Sequence, residues 1–204
     1  MLRLDHLAVS ATTLQDGVTV VEDALGVALA GGGKHGHMAT HNRLLGLGDI
    51  YLEVIAPDPA APAPAWPRWF DLDHFTGPPR LTNWVAACVD LDAELALSPK
   101  GSGVPVSLER GDLRWRMAVP DTGKLPYGGC FPALIAWQGA LHPAQLLPDA
   151  GVRLDRLEIT HPSAAELAAD LSGRISDPRI SFCVGLTKEM RATFSTPHGT
   201  RILG

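Results

Sequence analysis

Two residues stand out for the chemistry they can do. His6 sits inside the apolar run RLDHLAVS (Arg3–Ser10), and Glu53 sits inside DIYLEVIA (Asp49–Ala56). An imidazole and a carboxylate in such settings can be two ligands of a divalent metal or a base with its orienting partner. They can also be a hydrogen-bonded pair that settles two polar groups inside the protein, and spacing alone favours this plainer reading. KHGHMATHN (Lys34–Asn42) gathers His35, His37 and His41. Their spacing matches neither a helical pair four apart nor a finger pattern, so the stretch reads as a polar loop entering a strand rather than a zinc site. Arg114 and Arg116 flank Trp115 in LRWRM. On a strand the arginines share one face and could grip a carboxylate. The reading the residues favour is a solvated outer face with Trp115 turned inward. Trp84 and Trp137 read as core or cavity wall.

Other chemistries find no support. GxSxG is absent, and GGGK (Gly31–Lys34) lacks the rest of a phosphate loop. Cys88, Cys130 and Cys183 are too sparse for a disulfide framework, which points to reduced thiols and a cytoplasmic setting. Cys88 and Cys183 lie in apolar strands and read as buried and inert. With 17 Lys and Arg against 22 Asp and Glu, net charge is −5 and no basic patch is visible, so nucleic acid is not an expected partner. No apolar stretch reaches the ~18 residues of a membrane helix, and the N-terminus does not read as a signal peptide.

The elements that must position these residues follow from two breaks. APDPAAPAPAWP (Ala56–Pro67) holds five prolines in twelve residues and reads as an extended connector. QGALHPAQLLPDAG (Gln138–Gly151) is the second break. They leave a first unit at 1–56, a connector at 57–77, a second unit at 78–137 and a third at 152–204, all within one compact domain. RLDHLAVS at 3–10 matches RLDRLEIT at 153–160 in four of eight positions, and RLTNWVAA at 80–87 matches more weakly. After each start comes a helical stretch and then strand-like runs. This is an internal repeat of β-α-β-β-β units. The expected fold is α+β, with a cupped, mostly antiparallel sheet covered by helices on one face. Alternation puts Leu7 and Val9 on one side of the first strand and His6 and Ala8 on the other. With Leu7, Val9, Leu52 and Val54 under the helix, His6 and Glu53 point into the cup, and Tyr51 and Ile55 share Glu53's face.

This layout resembles the vicinal oxygen chelate superfamily of glyoxalases, bleomycin-resistance proteins and dioxygenases. THNRLLGLGDIYLEVIAPDP (Thr40–Pro59), with RLDHL before it and PRWFDLD (Pro67–Asp73) after it, is similar to the glyoxalase-like domain family of that superfamily. The likeness is close over residues 1–90 and rests on layout beyond them. It implies a ligand cavity in the cup, with His6 and Glu53 as catalytic residues and as half of a metal site for Zn, Ni, Mn or Fe. The other half departs from the pattern. The position equivalent to His6 falls on Asn83 or Arg156, and that equivalent to Glu53 near Ile135–Ala136 or at Leu203–Gly204. Absence of a metal is therefore nearly as well supported. Thr40, Asn42, Tyr51, Asn83 and Arg156 are the expected substrate contacts. If Arg156 faces His6, the ligand is anionic rather than a cation. The implied function is a lyase or isomerase acting on a carbonyl or vicinal-oxygen compound. The alternatives are a metal-free protein that sequesters a small molecule, and a scaffold that has lost activity. A homodimer is compatible, since superfamily members often pair units across two chains.

Overall fold

The computed structural model describes residues 1–204. β1 (Arg3–Ser10) leads into α1 (Leu14–Leu25), followed by β2 (Lys34–His35), β3 (Thr40–Gly46) and β4 (Tyr51–Pro57). β5 (Arg80–Ala87), α2 (Leu91–Ala96), β6 (Val104–Arg110), β7 (Leu113–Val119) and β8 (Ala133–Gln138) repeat the sequence of elements. The one-turn helix α3 (Pro143–Leu146) precedes β9 (Arg153–His161), α4 (Ala164–Leu171), β10 (Ile180–Val184), β11 (Glu189–Thr196) and β12 (Gly199–Leu203).

α1 starts where Thr13 accepts a hydrogen bond from Asp16 N–H and stops at Gly26, whose φ of +72° suits glycine. Its buried stripe is Gly17, Val21 and Leu25. A side-chain carbon at Gly17 would stand 2.5 Å from Val54 Cγ1, so only glycine lets the helix lie this close to β4.

The first two units build one eight-stranded sheet in the order β2-β3-β4-β1-β5-β8-β7-β6. In each unit the first strand runs parallel to the last: β1 with β4, and β5 with β8. The units join through the antiparallel pair β1–β5. Both halves of the cup thus come from one chain, and the middle unit completes it. Apolar side chains fill both faces. Leu7, Val9, Leu52, Val54 and Trp84 belong to the cluster packed beneath α1, and Ala8, Ile55, Val85, Trp115, Met117 and Ile135 to the cluster inside the cup. The expected alternation holds in β1 and β4.

The third unit departs from the expected repeat. Its strands form a separate four-stranded sheet, β10-β9-β11-β12. Here β9 runs parallel to the very next strand, β10, and antiparallel to β11. This is a βαβ crossover followed by a hairpin, not the arrangement of the other two units. The matching starts at 3–10 and 153–160 encode a strand leading to a helix. They do not encode where the following strand adds. That depends on the return loop, and after α4 it brings the chain back beside β9. The third sheet packs on the outside of the cup, where Leu157, Ile159 and Phe194 join the cluster beneath α1.

The connector also does more than span a distance. Its proline-rich part is irregular, but it ends in the 3-10 segment Trp69–His74, whose Trp69, Phe70 and Leu72 are buried in the cup's apolar cluster. Phe70 and Asp71 hold φ values of +58° and +54°, a region that bulky residues avoid. No helix is long and apolar enough to cross a membrane.

Candidate functional site

β1 and β4 lie side by side, with His6 opposite Tyr51 and Ala8 opposite Glu53. From these neighbouring strands His6 Nε2 and Glu53 Oε2 approach to 3.6 Å. That is too long for a hydrogen bond between them. On its other side His6 Nδ1 meets Asp5 Oδ1 at 2.6 Å, and the Tyr51 ring stacks on the imidazole at 4.3 Å. Asn42 on β3 donates to Glu53 Oε1 at 2.5 Å. The Asn42 carbonyl oxygen accepts from Gly33 N–H at 2.8 Å and from Arg110 at 3.2 Å. His35 on β2 is buried, with Nδ1 3.1 Å from Thr40 Oγ1 and Nε2 3.3 Å from Arg110 Nη1. Asp5 Oδ2 accepts from Trp137 Nε1 at 2.8 Å and lies 3.0 Å from His142 Nε2.

This network sets opposite protonation states on two buried histidines. Burial would push His6 down, but its hydrogen bond to Asp5 and the attraction of the nearby Glu53 carboxylate outweigh that and raise it to about 9. Burial would likewise push Glu53 up, and the His6 interaction with the Asn42 hydrogen bond holds it at about 2. Near neutral pH the pair is an imidazolium facing a carboxylate. Burial, with Arg110 adding repulsion, lowers His35 to about 4, so this second imidazole is neutral. Asp5 stays ionised, since its partners His142 and His6 overcome the effect of burial.

The cavity these groups face measures about 30 Å³, room for one or two water molecules. Trp69 and Phe70 of the connector, Arg110, and Trp115 and Trp137 of the second unit close it. The residues do not fit the superfamily's divalent metal. His6, His35 and Glu53 line the cavity, but His35 is engaged by Thr40 and Arg110, and no group of three or more His, Cys, Asp or Glu side chains is placed to hold a metal ion. Ile135, near the position equivalent to Glu53, is apolar. The Arg110 guanidinium, itself a cation, enters the space a metal would share.

The expected contacts separate into four groups. Asn42 and Tyr51 line the same cavity as His6 and Glu53. Thr40 is buried behind it and orients His35. Asn83 lines a different cavity, beside Gly129. Arg156 is misplaced by the repeat argument: it lies on the separate sheet, half exposed and ion-paired with Glu158 at 2.9 Å, and does not enter the cup. Arg114 and Arg116 face solvent, paired with Glu109 and Asp92, while Trp115 turns inward as expected.

His35 is not part of a polar loop but a buried wall of the cavity, so that expectation is corrected. Asp5 and Arg110 were not singled out at all. Arg110 shares a strand face with Leu108, a signal that alternation carries. Asp5 should point away from His6, but the β1–β5 register shifts between Leu4 and His6, and this bulge re-aims its side chain.

A family model described as a glyoxalase-like domain matches residues 4–174, which reaches through the second unit into the third. Among curated proteins none matches. A hypothetical protein from Staphylococcus aureus is similar in structure, with a TM-score of 0.63, 11% identity, and coverage of 93% of this chain and 88% of that one. Methylmalonyl-CoA epimerase from Mycobacterium tuberculosis aligns at 17% identity and a TM-score of 0.44, over 68% of this chain and 88% of its own.

Proposed function

Because the chain belongs to the glyoxalase-like domain family, within the vicinal oxygen chelate superfamily, we propose that it acts on a small carbonyl or vicinal-oxygen compound in the cup as a lyase or isomerase, without a resident metal. The observation that carries this reading is the 3.6 Å separation of His6 Nε2 and Glu53 Oε2. The two groups face one cavity with opposite charges, and neither is fully engaged by the other. A carbonyl oxygen placed between them accepts a hydrogen bond from the His6 imidazolium, which does the polarising work a metal would do. The adjacent Glu53 carboxylate takes the proton from the neighbouring carbon. The C–H electron pair becomes the carbon–carbon double bond of an enol, and the carbonyl oxygen takes the proton of His6 Nε2. Where the α-carbon bears a hydroxyl, Glu53 gives its proton to the former carbonyl carbon while the α-hydroxyl returns a proton to His6 and becomes the new carbonyl, which completes an isomerisation; where the next carbon bears a leaving group, that group departs with its bonding pair as the enol hydroxyl returns its proton to His6, which completes an elimination. Entry of the substrate also parts Glu53 from His6, which raises the carboxylate toward its ordinary range and makes it a better base. Asn42 holds Glu53 in place, and Asp5 holds His6.

A second reading, a metal-free protein that binds or sequesters a small molecule, is favoured by Glu53 being held at about 2 in the ligand-free state, where it is a weak proton acceptor. Deuterium wash-in distinguishes the two. Dihydroxyacetone and its phosphate, incubated with the protein in D2O and followed by NMR, should lose α-protons faster than in buffer, and Glu53→Gln should cut the enzymatic rate by ~10²-fold or more. Tight ligand binding with no exchange above background would decide for the binder.

A further inference from the structure

On the far side of Phe70 lies a second cavity of about 150 Å³ that the reading above does not use. Three cations from three separate elements line it. They are Arg80 at the start of β5, Lys124 in the loop after β7, and Lys188 in the turn between β10 and β11. Asp71 is the one carboxylate among its walls, shared between Lys124 at 3.5 Å and His74 at 2.7 Å. On a chain of net charge −5 this local excess of positive charge runs against the rest of the surface.

The floor is built rather than incidental. Asn83 is 3% exposed and Thr82 is 8% exposed. Gly129, at φ +96°, brings bare backbone to the floor, where a methyl group would stand 3.1 Å from Asn83 Nδ2 and 3.2 Å from Lys188 Nζ. Two donors therefore converge above a glycine that leaves room for a third party. Lys188 donates to Gly128 O and Asn83 Nδ2 to Gly129 O, so each keeps donor capacity in reserve.

The two cavities belong to one interior. His6 stands opposite Val85 and Asn83 opposite Ala8, so both look into the cup from neighbouring strands. Phe70 is a wall of each cavity. Its left-handed backbone, like that of Asp71, is held by packing rather than by local preference. With the Phe70 ring withdrawn, the cavities of about 30 Å³ and 150 Å³ join, together with the space the ring vacates.

We propose that the basic cleft of Arg80, Lys124, Lys188 and Asn83 anchors the anionic group, a phosphate or a carboxylate, of a ligand whose carbonyl end reaches His6 and Glu53 when Phe70 moves aside. The reach to His6 rests on the function proposed above; the anion anchor does not.

Calorimetric titration of the full chain with inorganic phosphate and, separately, with propionate tests the anchor. Saturable binding of either is expected, and the tighter of the two assigns the group. Lys188→Gln and Arg80→Gln should each weaken it at least about tenfold, while Arg191→Gln, an exposed cation outside the cleft, and Glu53→Gln leave it unchanged. No saturable binding, or binding indifferent to Lys188 and Arg80, overturns the anchor. The deuterium exchange assay then tests the reach. Dihydroxyacetone phosphate should exchange at lower concentrations than dihydroxyacetone, and Lys188→Gln should remove that advantage. Equal exchange of both ketones overturns the reach past Phe70. Exchange of neither, with anion binding intact, overturns the proposed chemistry and leaves the anchor standing.

Discussion

Replacing His6 by glutamine should flatten the alkaline limb of the protein's stability profile, and the size of the effect follows from the site. The imidazole is raised from an ordinary 6.5 to about 9 by Asp5 and Glu53, against the cost of burial. Between these pH values the folded chain holds a proton that the unfolded chain has lost. Stability is therefore fully present below pH 6.5 and falls as pH rises through 9. A difference of about two and a half pH units, at about 1.36 kcal/mol each, makes the loss about 3 kcal/mol. The lowering of Glu53 is partly the same attraction seen from the other partner and does not add in full. His35 acts in the opposite sense: a histidine lowered to about 4 favours the fold as pH rises from 4 to 6.5. The two limbs place the maximum near pH 6.5. Cys88, pushed up to about 11 by burial, enters only above pH 9. The assay is urea unfolding followed by tryptophan fluorescence at pH 6.5, 8 and 9. The His6→Gln variant should be less stable at pH 6.5, because Asp5 and Glu53 lose their cation, yet constant from there to pH 9. If the wild type keeps its stability over that range, or the variant loses as much, the buried imidazolium is not what holds this site together.

Other consequences follow from single contacts. Arg110→Met removes a cation that repels the charged form of His35, so the His35 titration followed by proton NMR should move up from about 4; no movement would show that burial and the neighbouring histidines, not Arg110, hold it down. Gly17→Ala drives a methyl group to within 2.5 Å of Val54 Cγ1 and should cost ~1–3 kcal/mol in thermal unfolding despite alanine's better helix propensity; an unchanged midpoint would show that α1 can lift off β4 freely. Of the three thiols only Cys183 is partly exposed, so the folded protein should titrate one fast thiol with an aromatic disulfide reagent and three in urea. Two fast thiols in the folded state would contradict the burial of Cys88 and Cys130.

How far the sequence carried the argument depended on the range of the interaction. Strand alternation is local, and it put His6, Tyr51 and Glu53 on one side of β1 and β4 and Leu7, Val9, Leu52 and Val54 on the other. Helix ends are local too: Thr13 and Gly26 bracket α1 as their residue types suggest. The repeat argument reached further than its residues allowed. RLDRLEIT is a good copy of RLDHLAVS as a strand, but strand order depends on loops the match does not cover, so Arg156 was expected in a cup from which its sheet is separate. The middle unit, with the weaker match, is the one that pairs with the first. Asp5 was hidden for a different reason, since a bulge breaks the alternation on which its placement depends. The connector shows the largest gap between what is written and what is built. Its prolines read as an extended connector, yet Pro57 closes the central strand β4 and the same segment ends by turning Trp69, Phe70 and Leu72 into the cup. An apolar cavity wall supplied by a linker has no periodicity to announce it. It is also the part of the cup wall that belongs to neither repeat.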